Sequence, residues 1–338
     1  MLKFDQVIQD VTKFSKKTKK KEYLESGTIP IIDQSKKLIA GYTNDNKKKY
    51  KNKIPVIIFG DHTRILKYID FNFSLGADGT KILTGKNNID NKYLFYYLKS
   101  KEIQDLGYSR HFKLLKKLKF QLHTKKKSDE IVSYFNLFEK LIYLKNQQKE
   151  KLDRLNLKLF EQKIKSLKNG DFIYKNNIKD IIKIEYGKSL PESKRLPGKY
   201  NVYGSNGIIG NNNSFLFNKK SIIIGRKGSA GKLHYVDKPF FPIDTTYFIS
   251  NFDKDKIRLK FLLYFFRVSN LESLILPQGV PGLRRNDIYK LQIQLPKLQL
   301  QDEIINELEN LEFLIYNLEK SISGINKIYS YKLKKTFN

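Results

Sequence analysis

The sequence predicts an α+β protein: two similar β-rich domains and two long helices that pair antiparallel as a coiled coil, related by a pseudo-two-fold internal repeat. Three observations predict it. The chain repeats itself once, in order, at a nearly constant offset. Short β-branched and aromatic runs are punctuated by Gly, Asn and Pro, and two long segments carry apolar residues at helical spacing.

The repeat comes first because it fixes the domains. Val7-Ile8-Gln9-Asp10-Val11 recurs as Ile178-Lys179-Asp180-Ile181-Ile182, and Val56-Ile57-Ile58-Phe59-Gly60 as Ser221-Ile222-Ile223-Ile224-Gly225. Tyr68-Ile69-Asp70 recurs as Tyr235-Val236-Asp237, and Lys92 to Tyr97 as Lys260 to Phe265. Leu118 to Leu122 recurs as Leu291 to Leu295, and Asp129-Glu130-Ile131 as Asp302-Glu303-Ile304. The offset runs only from 165 to 173 residues. Solenoid repeats are about 20–50 residues long, so this is a duplication of a complete unit. Four segments are expected: a domain over 1–127, a helix over 128–168, a second domain over 169–300 and a second helix over 301–338.

Within the domains, strands are expected at 54–59, 199–203, 221–224 and 246–249, and buried helices at 92–98 and 260–266, which are apolar on most sides. The first long helix carries Ile131, Phe135, Phe138, Leu141, Leu152, Leu155 and Leu159, interrupted by the lysine-rich 145–151 block. Ser128 and Asp129 suit its N-cap, and Asn169-Gly170 its stop. The second helix runs through Ile304, Leu308, Leu311, Ile315, Leu318, Ile322, Ile325 and Tyr329, an unbroken four-three spacing. One helix leaves the first domain and the other leaves the second, so antiparallel pairing is natural. At roughly 1.5 Å per residue each spans on the order of 50 Å, a stiff connector between two domains. The competing reading is that the helices dimerise the protein.

Composition bounds the partners. There are 65 Lys+Arg against 34 Asp+Glu, a formal charge of +31. Such an excess attracts a polyanion, because neutralising phosphates releases counterions; a Lys- and Asn-rich codon bias is the alternative source of the lysines. No cysteine occurs, which excludes disulfides and thiolate metal sites. No uncharged apolar run approaches about 18 residues, and residues 1–14 lack a signal-peptide core, so a cytoplasmic protein without membrane association is expected.

Catalytic motifs are missing where they would be sought. In the run Gly225-Arg226-Lys227-Gly228-Ser229-Ala230-Gly231-Lys232, five residues separate Gly225 from Gly231, and Leu233 follows Lys232. A nucleotide-binding loop needs four residues and then Gly-Lys-Ser/Thr, so a tight turn is expected instead. His62, His111, His123 and His234 have no metal-like spacing; His62 and His111 suit surface positions or DNA contacts. Asp78 and Asp244 are isolated acids at similar repeat positions and are expected to be structural.

The 225–232 run resembles the glycine-rich loop of target-recognition domains in Type I restriction-modification specificity subunits. So does Gln278-Gly279-Val280-Pro281-Gly282-Leu283-Arg284-Arg285-Asn286-Asp287-Ile288, which leads into Leu295-Pro296-Lys297-Leu298 and the second helix. The order of recognition domain, helix, recognition domain, helix covers essentially the whole chain. The first half departs from the pattern, with Gly60-Asp61-His62-Thr63-Arg64 replacing the glycine loop and His123 standing where the family has proline. The resemblance implies a subunit without its own catalytic site. It would read a bipartite, asymmetric double-stranded DNA target, and recruit two methyltransferase subunits and optionally two restriction (motor-nuclease) subunits. S-adenosylmethionine, ATP and Mg would belong to those partners, with no cofactor or metal in this chain.

Arginine is the best base reader because its fork matches guanine's two acceptors. Arg195, Arg226, Arg284 and Arg285 are therefore the leading DNA contacts of the second domain, followed by Lys188, Tyr203 and Asn206, with Lys227 and Lys232 on phosphates. In the first domain the candidates are Arg64 and Arg110, with Lys16, Lys17, Lys19 and Lys20 on phosphates. Two other classes stay open: a nuclease or methyltransferase with an unrecognised site, and a coiled-coil RNA-binding scaffold.

Overall fold

The structure, a computed structural model, describes residues 1–76, 79–107, 109–275 and 282–337. Asp78 and the 278–281 stretch of the second glycine-containing run lie outside the described residues. The chain divides into two compact units, Met1–Asn146 with Lys320–Asn338, and Gln147–Glu319.

The first unit is built on a four-stranded antiparallel sheet in the order Ile8–Asp10, Thr80–Gly85, Val56–Gly60, Leu66–Ile69. Beside it lies a three-stranded sheet, Gly41–Thr43, Ile29–Ile32, Ser74–Leu75, whose last pair is parallel. The strand Val56–Gly60 is buried along its whole length. Side chains alternate across a strand, so Ile57 and Phe59 join one core with the helix Asn91–Ser100, while Val56 and Ile58 join another with Phe73 and Leu75. That is why its sequence is a continuous apolar run rather than an alternating one.

The second unit repeats this plan strand for strand. Its four-stranded sheet has the order Ile182–Tyr186, Thr246–Phe252, Ser221–Gly225, Leu233–Val236. Its three-stranded sheet is Gly207–Asn212, Tyr200–Gly204, Phe240–Pro242, again with a parallel last pair. Ile222 and Ile224 pack on the helix side with Leu262 and Leu263 of Leu259–Val268, and Ile223 packs on the other side with Phe240 and Phe248. The duplication read from the sequence is therefore a duplication of topology.

The long helices are Lys125–Ser166, of 42 residues, and Leu298–Phe337, of 40. The first starts earlier than Ser128: the Thr124 carbonyl accepts the Ser128 N–H at 2.9 Å, and its hydroxyl accepts the Lys127 N–H at 3.4 Å. Thr124, not Ser128, is thus the capping residue. Asn169 and Gly170 fall in a separate 3-10 turn, Asn169–Asp171, beyond the helix end. In the second unit Lys163 pairs with Glu307 at 2.6 Å and Lys149 with Glu319 at 3.1 Å, so the helices run antiparallel. In the first unit Phe135 meets Tyr329 edge-on at 5.5 Å. The seam of the second helix follows the expected four-three row. On the first helix, Leu141 and Leu155 are exposed, and Asn156 and Phe160 take the buried positions. The row passes through Ile142, Lys145 and Lys149, which are half-buried, because the charged block displaces the apolar phase.

Candidate nucleic-acid interface

In the second unit four chain segments meet at one end of the large sheet. The strand Ser221–Gly225 runs into a tight loop in which Gly225 N–H donates to the Lys232 carbonyl at 2.8 Å and Gly231 N–H to the Gly225 carbonyl at 2.9 Å. Gly231 sits at φ 83°, and a Cβ there would lie 3.0 Å from the Glu272 backbone nitrogen, so glycine is required twice over. Gly225 and Gly231 thus commit their amide protons to the turn itself.

Arg226 leaves this loop with its guanidinium 5.0 Å from the Tyr186 ring centroid and 5.9 Å from that of Tyr247. One guanidinium nitrogen donates to the Asp244 carbonyl at 3.0 Å, so Asp244 contributes its backbone and not its acid. Arg285 covers Tyr186 at 5.1 Å, donates to the Ile184 carbonyl at 3.3 Å, and keeps a buried Nε without a hydrogen-bond partner. The two tyrosines pack edge to face at 4.9 Å, and the Tyr247 hydroxyl donates to the Leu283 carbonyl at 3.0 Å. Burial, with the neighbouring Tyr186, pushes the Tyr247 phenol up, so it remains a protonated donor. Lys227 bridges to Gly282. Together Tyr186, Arg226, Lys227, Tyr247, Arg284 and Arg285 surround a recess of about 410 Å³. Stacked cations over aromatic faces around a concave surface suit a polyanion carrying flat bases.

Beside it lies the 205–206 turn. The Ser205 hydroxyl donates to the Thr245 carbonyl, Lys232 donates to the Asn206 side-chain oxygen at 2.6 Å, and His234 Nε2 lies 3.1 Å from the Ser205 carbonyl. Burial, assisted by Lys232, holds His234 below its usual pKa against the opposing pull of that carbonyl. Asn206 and Lys232 thus pair with each other at the glycine loop, outside the lining of the recess. Tyr203 packs against Phe240 beneath the turn. Arg195 donates to the Ile209 carbonyl at 2.9 Å and the Leu190 carbonyl at 3.3 Å, bracing the hairpin. Lys188 is exposed, its backbone N–H held by the Pro242 carbonyl.

The first unit puts different chemistry at equivalent places. Asp61 stands where Arg226 does, one residue past the strand-end glycine, and accepts the Phe112 N–H at 2.7 Å. Lys81, opposite Phe59, replaces Tyr247, opposite Ile224. Arg64 adopts a left-handed φ of 61°, pairs with Asp105 and donates to the Ile103 carbonyl at 3.1 Å. Its guanidinium is engaged within the fold. His111 is fully buried, contrary to the surface position expected. Its Nε2 accepts the Leu106 N–H at 3.0 Å, so Nδ1 is the donor to the Asp61 carbonyl at 2.9 Å, and the ring plugs the 60–65 loop. His123 is likewise structural, 2.8 Å from the Tyr93 hydroxyl and packed on Phe337. His62 is half-buried, its backbone N–H donating to Gln34 Oε1. Arg110 is exposed. Lys16, Lys17, Lys19 and Lys20 are exposed on either side of buried Thr18, which hydrogen-bonds Ser74 and the Leu75 carbonyl and so fixes the loop that presents them.

Sequence reasoning missed Tyr186 and Tyr247. The tyrosines end one strand and begin the next, and only cross-strand register brings them together. Among the described residues no group of three or more His, Asp or Glu side chains could hold a metal ion, and no helix is long and apolar enough to cross a membrane.

Residues 174–327 match the family described as Type I restriction modification DNA specificity domain. Over 96 residues the chain is 36% identical to the specificity subunit of the Type I restriction enzyme EcoR124I/EcoR124II of Escherichia coli, covering 26% of this chain and 24% of that protein. The chain thus spans about a quarter of that relative's length. A 304-residue alignment at 21% identity, covering 76% of this chain and 70% of the other, relates it to the MjaIX specificity subunit of Methanocaldococcus jannaschii. Among solved structures, the S subunit of a Type-I restriction-modification system from M. genitalium shares the fold at a TM-score of 0.52 and 18% identity, covering 100% of this chain and 95% of that one.

Proposed function

We propose that this chain is a Type I restriction-modification specificity subunit, the family whose DNA specificity domain it matches over residues 174–327, and that it reads a bipartite, asymmetric duplex DNA target, one half per domain. The observation that carries the reading is the recess where Arg226, Lys227, Arg284 and Arg285 gather around Tyr186 and Tyr247 inside the matched domain. Arginine forks supply base discrimination and the lysines supply phosphate attraction. The equivalent place of the first domain carries different side chains, the inward-turned Asp61 and Lys81, which supports two unlike half-sites.

In this reading the chain performs no chemistry. S-adenosylmethionine, ATP and Mg are held by partners: two methyltransferase subunits and, in a complete restriction system, two restriction subunits, all in the cytoplasm. Arg226, Arg284, Arg285 and Asn206 are the base-reading group of the second domain, with Lys188, Lys227 and Lys232 on phosphates. Arg195 and Tyr203 act by shaping the hairpin that carries Asn206. In the first domain Arg110, Lys16, Lys17, Lys19 and Lys20 supply contacts, and Arg64 holds its loop.

The test is base-resolution methylation mapping of DNA from cells expressing this chain with its cognate methyltransferase, against cells lacking this chain. A new motif in two parts separated by an unread gap is expected. Unchanged methylation despite a stable complex would overturn the assignment.

A further inference from the structure

Lys67 is the most deeply buried lysine side chain among the ion pairs of the described residues, 5% exposed, in a protein whose lysines are otherwise largely at the surface. Its ammonium donates to the Asp33 carbonyl at 2.7 Å and the Lys37 carbonyl at 2.5 Å, and lies 3.9 Å from the Asp33 carboxylate. It therefore clamps both limbs of the 33–40 loop, which joins the strands Ile29–Ile32 and Gly41–Thr43. Burying an ammonium is costly unless its donors are met, so the loop shape it enforces is an invested feature of the fold.

Register identifies the counterpart. Lys67 pairs with Ile58 as His234 pairs with Ile223, the same position in the two large sheets. Each reaches the connection after the middle strand of its small sheet, His234 through the Ser205 carbonyl and Lys67 through Asp33 and Lys37. Gln34 corresponds to Ser205. A Cβ on Gly60 would meet the Gln34 Cβ at 2.8 Å, and one on Gly225 would meet the Ser205 Cβ at 3.2 Å. Both connections are also tied to the neighbouring loop, Gln34 through His62 and Thr63, and Asn206 through Lys232. In the second domain this connection is the 205–206 turn beside the recess. In the first domain it is longer, and its tip exposes Lys36, Lys37 and Leu38.

We propose that the 33–40 loop is the element with which the first domain reads its half of the DNA, and that Lys67 is the positioning residue that holds it in reading shape. The inference rests on the DNA-specificity reading above. Cationic tip side chains approach phosphates and base edges, while Leu38 offers the apolar contact that distinguishes a thymine methyl. The clamp acts through backbone carbonyls, so truncating tip side chains leaves it intact.

The experiment uses the full chain with its methyltransferase subunits. Motifs are mapped for wild type, for a Lys36→Ala/Lys37→Ala/Leu38→Ala variant, for Asn206→Ala, and for Lys67→Met and Lys67→Arg, with thermal melts of each. The tip variant is expected to relax one half of the motif by about tenfold at one or more positions and to leave the other half unchanged. Asn206→Ala is expected to affect the opposite half. Lys67→Met should relax the same half as the tip variant, and Lys67→Arg should restore discrimination in part. A tip variant that melts like wild type and keeps both half-motifs intact overturns the proposal, as does equal loss in both halves. A wild-type chain that directs no bipartite motif would instead sink the DNA-specificity reading itself.

Discussion

Arg226 and Asp61 occupy the same place in the two repeats and do opposite work. One presents a fork over two tyrosines, and the other turns inward to hold a backbone N–H. Arg226→Lys keeps the charge and loses the planar fork, so discrimination at the second half-site should fall about tenfold while affinity for non-specific duplex barely changes. Competition binding against a scrambled site checks this; an equal fall in both would make Arg226 a phosphate contact. His234 makes a pH prediction. Its folded pKa is depressed, so below an unfolded value near 6.5 the unfolded chain binds a proton that the folded one refuses. Stability of the second unit is thus full above that pH and declines as pH falls through it toward the folded pKa. His234→Gln should flatten that part of the curve in denaturant titrations, and an unaltered curve would assign it to other groups. Residue types in the sequence singled out loop arginines but not which are engaged, because the partners of Arg64 and Arg195 are carbonyls and an acid that only folding brings close. Lys67 could not be told from the surrounding lysines, since burial is a property of its strand register.

At the scale of elements, the two long helices show what periodicity conveys. The uninterrupted row on Leu298–Phe337 gave its inward face directly, with Ile304 and Leu308 buried at one end and Tyr329 and Leu333 at the other. On Lys125–Ser166 the lysine block shifted the phase, and Leu155 ended up half in solvent while Phe160, missing from the expected row, is 2% exposed. Phe160 stacks on Tyr264 at 5.5 Å and meets Phe261 at 5.3 Å. Phe160→Ala should therefore cost about 3–5 kcal/mol, whereas Leu155→Ala should stay within about 0.5 kcal/mol. Urea midpoints of the two variants check the pair; similar losses would mean the apolar phase was read correctly from the sequence after all. The strands of the small sheets escaped sequence reading for a different reason. Ser74–Leu75 has two residues and Gly41–Thr43 three, so pairing with distant partners, not local propensity, makes them strands.

For the whole molecule, the charge of +31 sets the background on which specificity is read. On the proposed DNA-specificity reading, most of these lysines would add affinity that is indifferent to sequence and sensitive to salt. Replacing Lys16, Lys17, Lys19 and Lys20 by Gln should lower the slope of log K against log salt by about 0.9 for each that contacts phosphate, without altering the recognised motif. Titrations between about 50 and 200 mM salt measure it; an unchanged slope would take that loop off the DNA. The duplication was the most legible feature, because it is written in order and spacing over the whole chain. The chemical difference between the two halves was not, because it lies in which side chains the shared register brings to one sheet edge.

That shared register also bears on heredity. Val56–Gly60 and Ser221–Gly225 carry the same pairings on either side, and each is followed at once by loops that differ between the halves. A crossover within the DNA encoding these strands would rejoin one sheet to the other's loops with no ladder out of step. On the proposed DNA-specificity reading, one such recombination would pair old loops with a new sheet and so offer a new target in a single step.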